Sequence, residues 1–385
     1  MSFVESDERR ALRGAVAELG GRYGHDYVVK QVKQGEHLDE LWHEAGKHGF
    51  LGVNLPGQYG GGGGGMYDLA LVLEELSAAG CTLLMMIVSP AICGTIIARF
   101  GTDDQKQQWL PGIADGSKIM AFAITEPDAG SNSHKITTTA RRDKTDWILS
   151  GRKVFISGVD QADTVLIVGR TEDAKTGKLK PALFAVPTDA AGFEYRGIDM
   201  DLAMPDKQFL LFLDDVRLPA DALVGEEDAA LMQLFAGLNP ERIMAAASSV
   251  GLGRYALSKA VDYVNSREVW GKPIGAHQGL SHPLAQVKIE LELAKLMMQK
   301  AATLYDDGDD MGAGEAANMA KYAAAEAAVR GVDQSVQSHG GNGLASEYGL
   351  GGLLAAARVG RIAPVSREMI LNFVAQFSLG LPKSY

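Results

Sequence analysis

The chain has 385 residues, 46% apolar and 22% charged, with a formal net charge of −11. That length accommodates two or three domains around a sizeable core, and the acidic balance excludes bulk attraction to nucleic acid or an anionic membrane. No apolar run reaches the ~18 residues of a membrane span, and MSFVESDERRALRG lacks a secretory apolar segment and is too acidic for an organelle presequence, so a cytoplasmic protein is expected.

Up to about residue 118, LDELWHEAGKHGFLGV and MYDLALVLEELSAAG place apolar residues at three- and four-residue spacing, the mark of helices. Between them QYGGGGGGM reads as a flexible connector, since no Lys or Ser/Thr follows at phosphate-loop spacing. Cys81 and Cys93 lie in apolar sequence with no metal-ligand spacing and read as reduced core residues. From 119 to 228 the texture changes to short β-rich runs, KIMAFAIT, DWILSGRKVFIS, DTVLIVGRT, PALFAVPT and QFLLFLDDVRL, which predict an antiparallel, barrel-like β-domain. After 229 the helical period returns, with Ala-rich spans suited to a four-helix bundle. Three domains are thus expected, at 1–118, 119–228 and 229–385: an α+β multidomain chain with a crevice where helices meet sheet.

Chemistry concentrates in five segments. FAITEPDAGSNSH follows an apolar strand with hydroxyls and backbone N–H groups, though by itself it reads more readily as a turn-rich loop. SGRKVFISG puts Phe155 and Ser157 on one face, an aromatic plate beside a hydroxyl, or simply an edge strand. NSREVWGKPIGAHQG offers Arg267 and Trp270 to a phosphate-bearing ring system, or forms a surface turn. QSHGGNG breaks a long helix with more glycine than a stop requires. In NPERIMAAA, Asn239 suits a helix cap, Pro240 a first helical position and Glu241 a first turn. No Gly-x-Gly-x-x-Gly follows a first strand, so nicotinamide binding on a Rossmann unit lacks support.

Across nearly the whole chain these segments resemble the acyl-CoA dehydrogenase family of flavoproteins: AITEPDAGS, REVWGKP and QSHGGNG approach its motifs, and LGVNLPGQYGG, GTDDQKQQWLPGIADG and LFLDDVRLP its weaker landmarks. The resemblance implies FAD as cofactor, an acyl-CoA thioester as substrate, a homotetramer or dimer, and an electron-transferring flavoprotein as electron acceptor. Carried over by position, Phe122, Ile124, Thr125 and Ser131 resemble the loop lining the flavin, with Ser131 also near CoA. Phe155 and Ser157 stand where the family commonly has Trp and Thr against the ring. Arg267, Val269, Trp270 and Gln278 resemble contacts to FAD from a neighbouring subunit, and Gln337, Gly340 and Gly341 the segment holding its adenosine-diphosphate part.

The implied reaction is α,β-dehydrogenation, in which a carboxylate removes the α-proton and hydride leaves from the β-carbon. In most of the family the base lies in a C-terminal Glu-Gly-Thr-Ser-Glu motif. Here RIAPVSREMILNFVAQ sets Ser366 and Glu368, expected on the FAD side, against the motif's Thr and second Glu, with Pro364 in the place of the base. The sequence instead resembles a branch, including isovaleryl-CoA and long-chain enzymes, whose base precedes an Arg on another helix. That position is Glu241, with Arg242 and Asn239 as substrate contacts. An acyl-CoA oxidase or flavin monooxygenase on the same fold, or a non-catalytic flavin- or acyl-CoA-binding subunit, is the alternative.

Overall fold

The computed structural model describes residues 5–173, 176–227 and 230–384. Helix α1 (Asp7–Gln34) opens on Ser6, whose side chain accepts from the Arg9 N–H, and is interrupted at Gly24. Helix α2 (Asp39–Lys47) presents Leu41, Trp42 and Ala45 to the interior, whereas α3 (Met66–Ala78) is buried along most of its length. A π-helical stretch, Ile87–Gly94, carries Pro90 and leads into α4 (Thr95–Phe100). Helix α5 (Asp103–Asp115) begins at a Thr102/Gln105 capping box, each side chain bonding the other's backbone N–H.

The glycine run 60–65 is no flexible connector. The N–H groups of Gly62, Gly63 and Gly64 bond the carbonyls of Gly52, Leu55 and Val53, and a Cβ on Gly61 or Gly62 would collide with that backbone. At Gly61, Gly62 and Gly64 two main chains stack without room for side chains between them, while Gly60 and Gly63 take positive φ.

Strands β1 (Met120–Ala123), β2 (Thr139–Asp143), β3 (Asp146–Ser157), β4 (Thr164–Glu172), β5 (Leu179–Pro187), β6 (Phe193–Ile198), β7 (Gln208–Leu218) and β8 (Leu223–Val224) form one sheet. Its order is β6-β7-β3-β2-β4-β5-β8, with β1 pairing β4 off that path. The sheet is mixed rather than wholly antiparallel: β1 runs parallel to β4, and β2 meets β4 in parallel at Thr139 and Arg170. The β2–β3 hairpin separates β1 from β4 in the chain, so β4 arrives by a crossover instead of a turn. One face holds Trp147, Leu149, Val165, Ile167 and Phe184. The other packs Met120, Phe122, Leu166 and Leu183 against α4, α5 and the π-helical stretch. Burial on both faces explains the unbroken apolar runs of β1, β4 and β5.

The chain then forms α6 (Ala230–Ser266), a small hairpin of β9 (Glu268–Val269) and β10 (Lys272–Pro273), and helices α7 (Gln278–Asp306), α8 (Asp310–His339), α9 (Leu353–Ile362) and α10 (Arg367–Phe373). Three long helices pack on one another, with short α9 beside α8. The first and last helical regions share one core, in which Leu69, Leu73 and Leu76 meet Ile243, Met244, Ala247 and Ala317. Gly251 lets α6 approach α3 closely, since a Cβ there would strike the Glu74 carbonyl. The same junction buries Glu74 and Glu75, which pair with Arg13 of α1 and Arg254 of α6. No described helix is long and apolar enough to cross a membrane. Cys81 and Cys93 are buried free thiols.

Candidate active site

Asn239 and Pro240 do not open a helix. Helix α6 already starts at Ala230, so Pro240 lies inside it. Proline has no N–H for the carbonyl four residues back, and that carbonyl, of Ala236, instead accepts from the buried Tyr305 hydroxyl of α7 at 2.8 Å. The irregularity that carries Glu241 is therefore satisfied by a neighbouring helix. Asn239 is buried and engaged at both ends of its amide: it donates to the Asp310 carbonyl at 3.1 Å and accepts from Arg242 at 3.2 Å. It ties α6 to the start of α8 and aims the guanidinium.

Glu241 is half-buried. Burial raises its carboxyl from 4.5 to about 7, against the pull of the Arg242 and Lys321 cations. Among the described residues it forms neither an ion pair nor a hydrogen bond, so its charge is balanced through space. Its field reaches Cys93, whose thiol is pushed up mainly by burial and further by Glu241. Cys93 lies 3.5 Å from the Ala121 carbonyl of β1, and the π-helical stretch that bears it packs against both β1 and α6. Glu241 thus stands where the helices meet the sheet.

There the loop after β1 is clamped by a buried ion pair. Lys153, 0% exposed, bonds Glu126 at 2.9 Å and the Ile124 carbonyl at 3.0 Å. Glu126 also accepts from the N–H and hydroxyl groups of Thr137 and Thr138. These bonds hold its carboxyl down at about 2 against the opposing effect of burial. The Val154 N–H bonds the Thr125 carbonyl at 2.9 Å. The pairing of β3 with β7 shifts register between Lys153 and Ile156, and in that irregularity Phe155 takes a φ of 57° and is 57% exposed. Ser157, partly exposed beyond buried Ile156, exchanges hydrogen bonds with Gln208. Ser131 is exposed and Ile124 half-buried. The Phe122 ring lies in the core with Leu166 and Leu183, so what it offers a ligand is main chain.

The remaining expected residues lie elsewhere. Arg267 and Gln278 are exposed and Val269 is partly so. Trp270, 87% exposed, caps the β9–β10 turn. Gln337 closes α8, followed by Gly340 and Gly341, around whose Cβ positions there is open space. These two groups share one end of the bundle, joined by the stack of Tyr263 on His339 at 4.2 Å. Arg267 is 26 residues beyond Glu241, mostly along α6, or about 39 Å at 1.5 Å per residue. Ser366 caps α10 by accepting from the Met369 N–H, and exposed Glu368 bonds Arg367 at 3.2 Å.

Three residues escaped sequence reasoning: Tyr305, Lys153 and Lys321. Lys321 sits 1% exposed on α8, donates to the Val365 carbonyl, and is driven down to about 8 by burial, with Glu241 opposing. Its signal was the one cation in NMAKYAAAEAAV, whose same-face neighbours, Ala317 and Ala324, are apolar and buried. The donor set as a whole suits a flat heteroaromatic ring with a diphosphate tail: an exposed aromatic plate in constrained backbone, hydroxyl and N–H donors around it, and a cation with open glycines at a second station.

Family models match in chain order. The N-terminal domain of acyl-CoA dehydrogenases matches residues 6–117, the middle domain 121–216 and the C-terminal domain 232–379. The acyl-CoA dehydrogenase FadE12 of Mycobacterium tuberculosis is 72% identical over 384 residues, covering 100% of this chain and 99% of that protein. A glutaryl-coenzyme A dehydrogenase solved with glutaryl-CoA superposes with a TM-score of 0.93 at 27% identity, covering 100% of this chain and 98% of the other. A glutaryl-CoA dehydrogenase from Mycobacterium smegmatis, solved with FADH2, gives 0.90 at 28% identity, covering 99% and 96%.

Proposed function

Because the chain belongs to the acyl-CoA dehydrogenase family of oxidoreductases, we propose that it oxidises an acyl-CoA thioester to the trans-2-enoyl-CoA with Glu241 as the general base. The observation that carries this reading is a carboxyl without a bonded partner, raised to about 7, at the junction of helices and sheet. A base titrating near working pH combines a useful ionised fraction with enough basicity to take an α-proton. Pro364, at the position the family commonly gives to its base, has no carboxyl, and Glu368 is exposed beside Arg367.

FAD fits the residues present and, when bound, supplies the hydride acceptor. Phe155, Ser157 and the main chain of residues 122–125 would flank its ring, with Ser131 at the mouth. Glu241 takes the proton, Arg242 orients the carboxylate or anchors CoA, and Asn239 holds Arg242 in place. The partial burial of Glu241 limits the water that competes for the proton. An extended dinucleotide on one site cannot span the roughly 39 Å to Arg267, so Arg267, Val269, Trp270, Gln278, Gln337, Gly340 and Gly341 would serve the site of a second copy. The working unit is then at least a homodimer, and a tetramer is a pair of these. The domain limits 1–118, 119–228 and 229–385 fit this division of labour. An electron-transferring flavoprotein is the proposed acceptor and the cytoplasm the proposed location. Aerobic turnover with peroxide formed and no added acceptor would replace that partner with dioxygen.

The test is anaerobic titration of the purified flavoprotein with a panel of acyl-CoA thioesters, repeated with Glu241→Gln. The variant is expected to keep FAD and bind thioester while flavin bleaching slows by about 10²–10⁴-fold, the usual worth of a positioned base. Bleaching at the native rate would place the base elsewhere.

A further inference from the structure

We propose that Lys321 is a positioning residue for the general base, holding the Pro364–Val365–Ser366 turn by its carbonyl and keeping Glu241 ionisable by a counter-charge from the facing helix. The inference rests on Glu241 being the base. An ammonium buried on a helix face among Ala317, Ala320 and Ala324 is costly unless something answers it. Among the described residues it makes one hydrogen bond, to the Val365 carbonyl, although it has three N–H groups.

The charges that face Lys321 are Glu241 and Arg242 from α6, Glu368 from α10 and Glu326 from its own helix. Glu326 is already paired with Arg361 and Arg367, and Glu368 with Arg367. Glu241 has no such partner among the described residues, which makes it the carboxylate left to balance Lys321. Separation beyond ion-pair distance is what a base requires. A direct pair would make the carboxylate too weak a base, and no cation at all would leave it protonated in its apolar surroundings. Lys321 itself titrates near 8, with burial lowering it and Glu241 opposing, so the two groups influence each other.

The same ammonium fixes the backbone just beyond Pro364. That residue has no N–H, and the Val365 N–H has no acceptor among the described residues. The Val365 carbonyl belongs to the next peptide plane, so holding it restrains the turn that carries this unclaimed donor, which stays available to a thioester oxygen on which negative charge develops.

The experiment compares Lys321→Met, which loses both charge and donor, Lys321→Gln, which keeps a donor, and Lys321→Arg, which keeps the charge. The readout is the infrared carboxyl band of Glu241, identified by its loss in Glu241→Gln and titrated with pH in both flavin-loaded and flavin-stripped protein. The band's midpoint is expected to rise by about one pH unit or more in Met and Gln and to return close to native in Arg. An unmoved midpoint in a Met or Gln variant of native melting temperature overturns the proposal. Should neither neutral variant fold, the curve shapes decide. Mutual titration predicts a native curve broader than a single proton's and a one-proton curve in Lys321→Arg; identical curves overturn it. A moved band together with native bleaching in Glu241→Gln would refute the base and leave the coupling. An unmoved band with Glu241→Gln inert would do the reverse.

Discussion

Bringing the pH down from about 8 to about 6 should slow anaerobic flavin reduction by a saturating acyl-CoA about tenfold. With Glu241 near 7, its ionised fraction falls from about nine-tenths to about one-tenth over that interval, and only the ionised form accepts a proton. Single-turnover bleaching in a stopped-flow instrument isolates this step from product release and from the electron acceptor. The residual rate of Glu241→Gln should not follow the same curve. Stability gives an independent check with the opposite sign. Folding raises this carboxyl from 4.5 to about 7, so its contribution is most favourable below 4.5 and is lost as pH rises through 7. The rise corresponds to roughly 2–3 kcal/mol, allowing for partial exposure. Glu241→Gln should therefore be more stable than the native protein at about pH 8 by up to that amount, and indistinguishable from it only below 4.5. A flat native profile, or a variant that loses stability at alkaline pH, would refute both the burial argument and the assignment.

Other perturbations test the supports of the site. Tyr305→Phe strips the Ala236 carbonyl of its partner and should cost about 1–3 kcal/mol in chemical denaturation, with slower bleaching because Pro240 and Glu241 lose their brace. Lys153→Met should cost about 3–5 kcal/mol by leaving Glu126 charged and buried without its cation, and flavin content should fall as the 124–138 loop loosens. Glu126, held at about 2, adds stability above its unfolded value that is lost as pH falls towards 2. Acid unfolding of a Glu126→Gln variant should accordingly be shallower than native. Finally, co-refolding Glu241→Gln with Arg267→Ala, each inactive alone, should restore about a quarter of native activity, since half of random dimers are mixed and each mixed dimer has one intact site. No recovery in verified mixed oligomers would place both residues in one chain's site.

The order helices, sheet, helices was legible because each region carries its own period; the chemical segments stood out only jointly, because their Gly, Pro, Asn, Asp and Ser residues serve ordinary turns equally well. Sequence also singled out Glu241, the carboxylate that remains once Pro364 vacates the usual position. Sequence erred wherever a local motif had a non-local partner. Asn239-Pro240 has the composition of a helix start, but Tyr305, 65 residues beyond Pro240, satisfies the carbonyl that the proline abandons, and α6 runs through. Six glycines resemble a linker until the backbone of residues 52–55 is laid against them. The parallel pairing of β1 with β4 depends on a crossover that no strand pattern encodes.

The amino-acid sequence by itself determined which chemical groups are available and on which kind of element each rides, since composition and periodicity are local properties. Their states were decided only by the tertiary structure. The raised carboxyl of Glu241, the buried ammonium of Lys321 and the bent backbone under Phe155 each arise from desolvation and contacts supplied by segments distant in the chain.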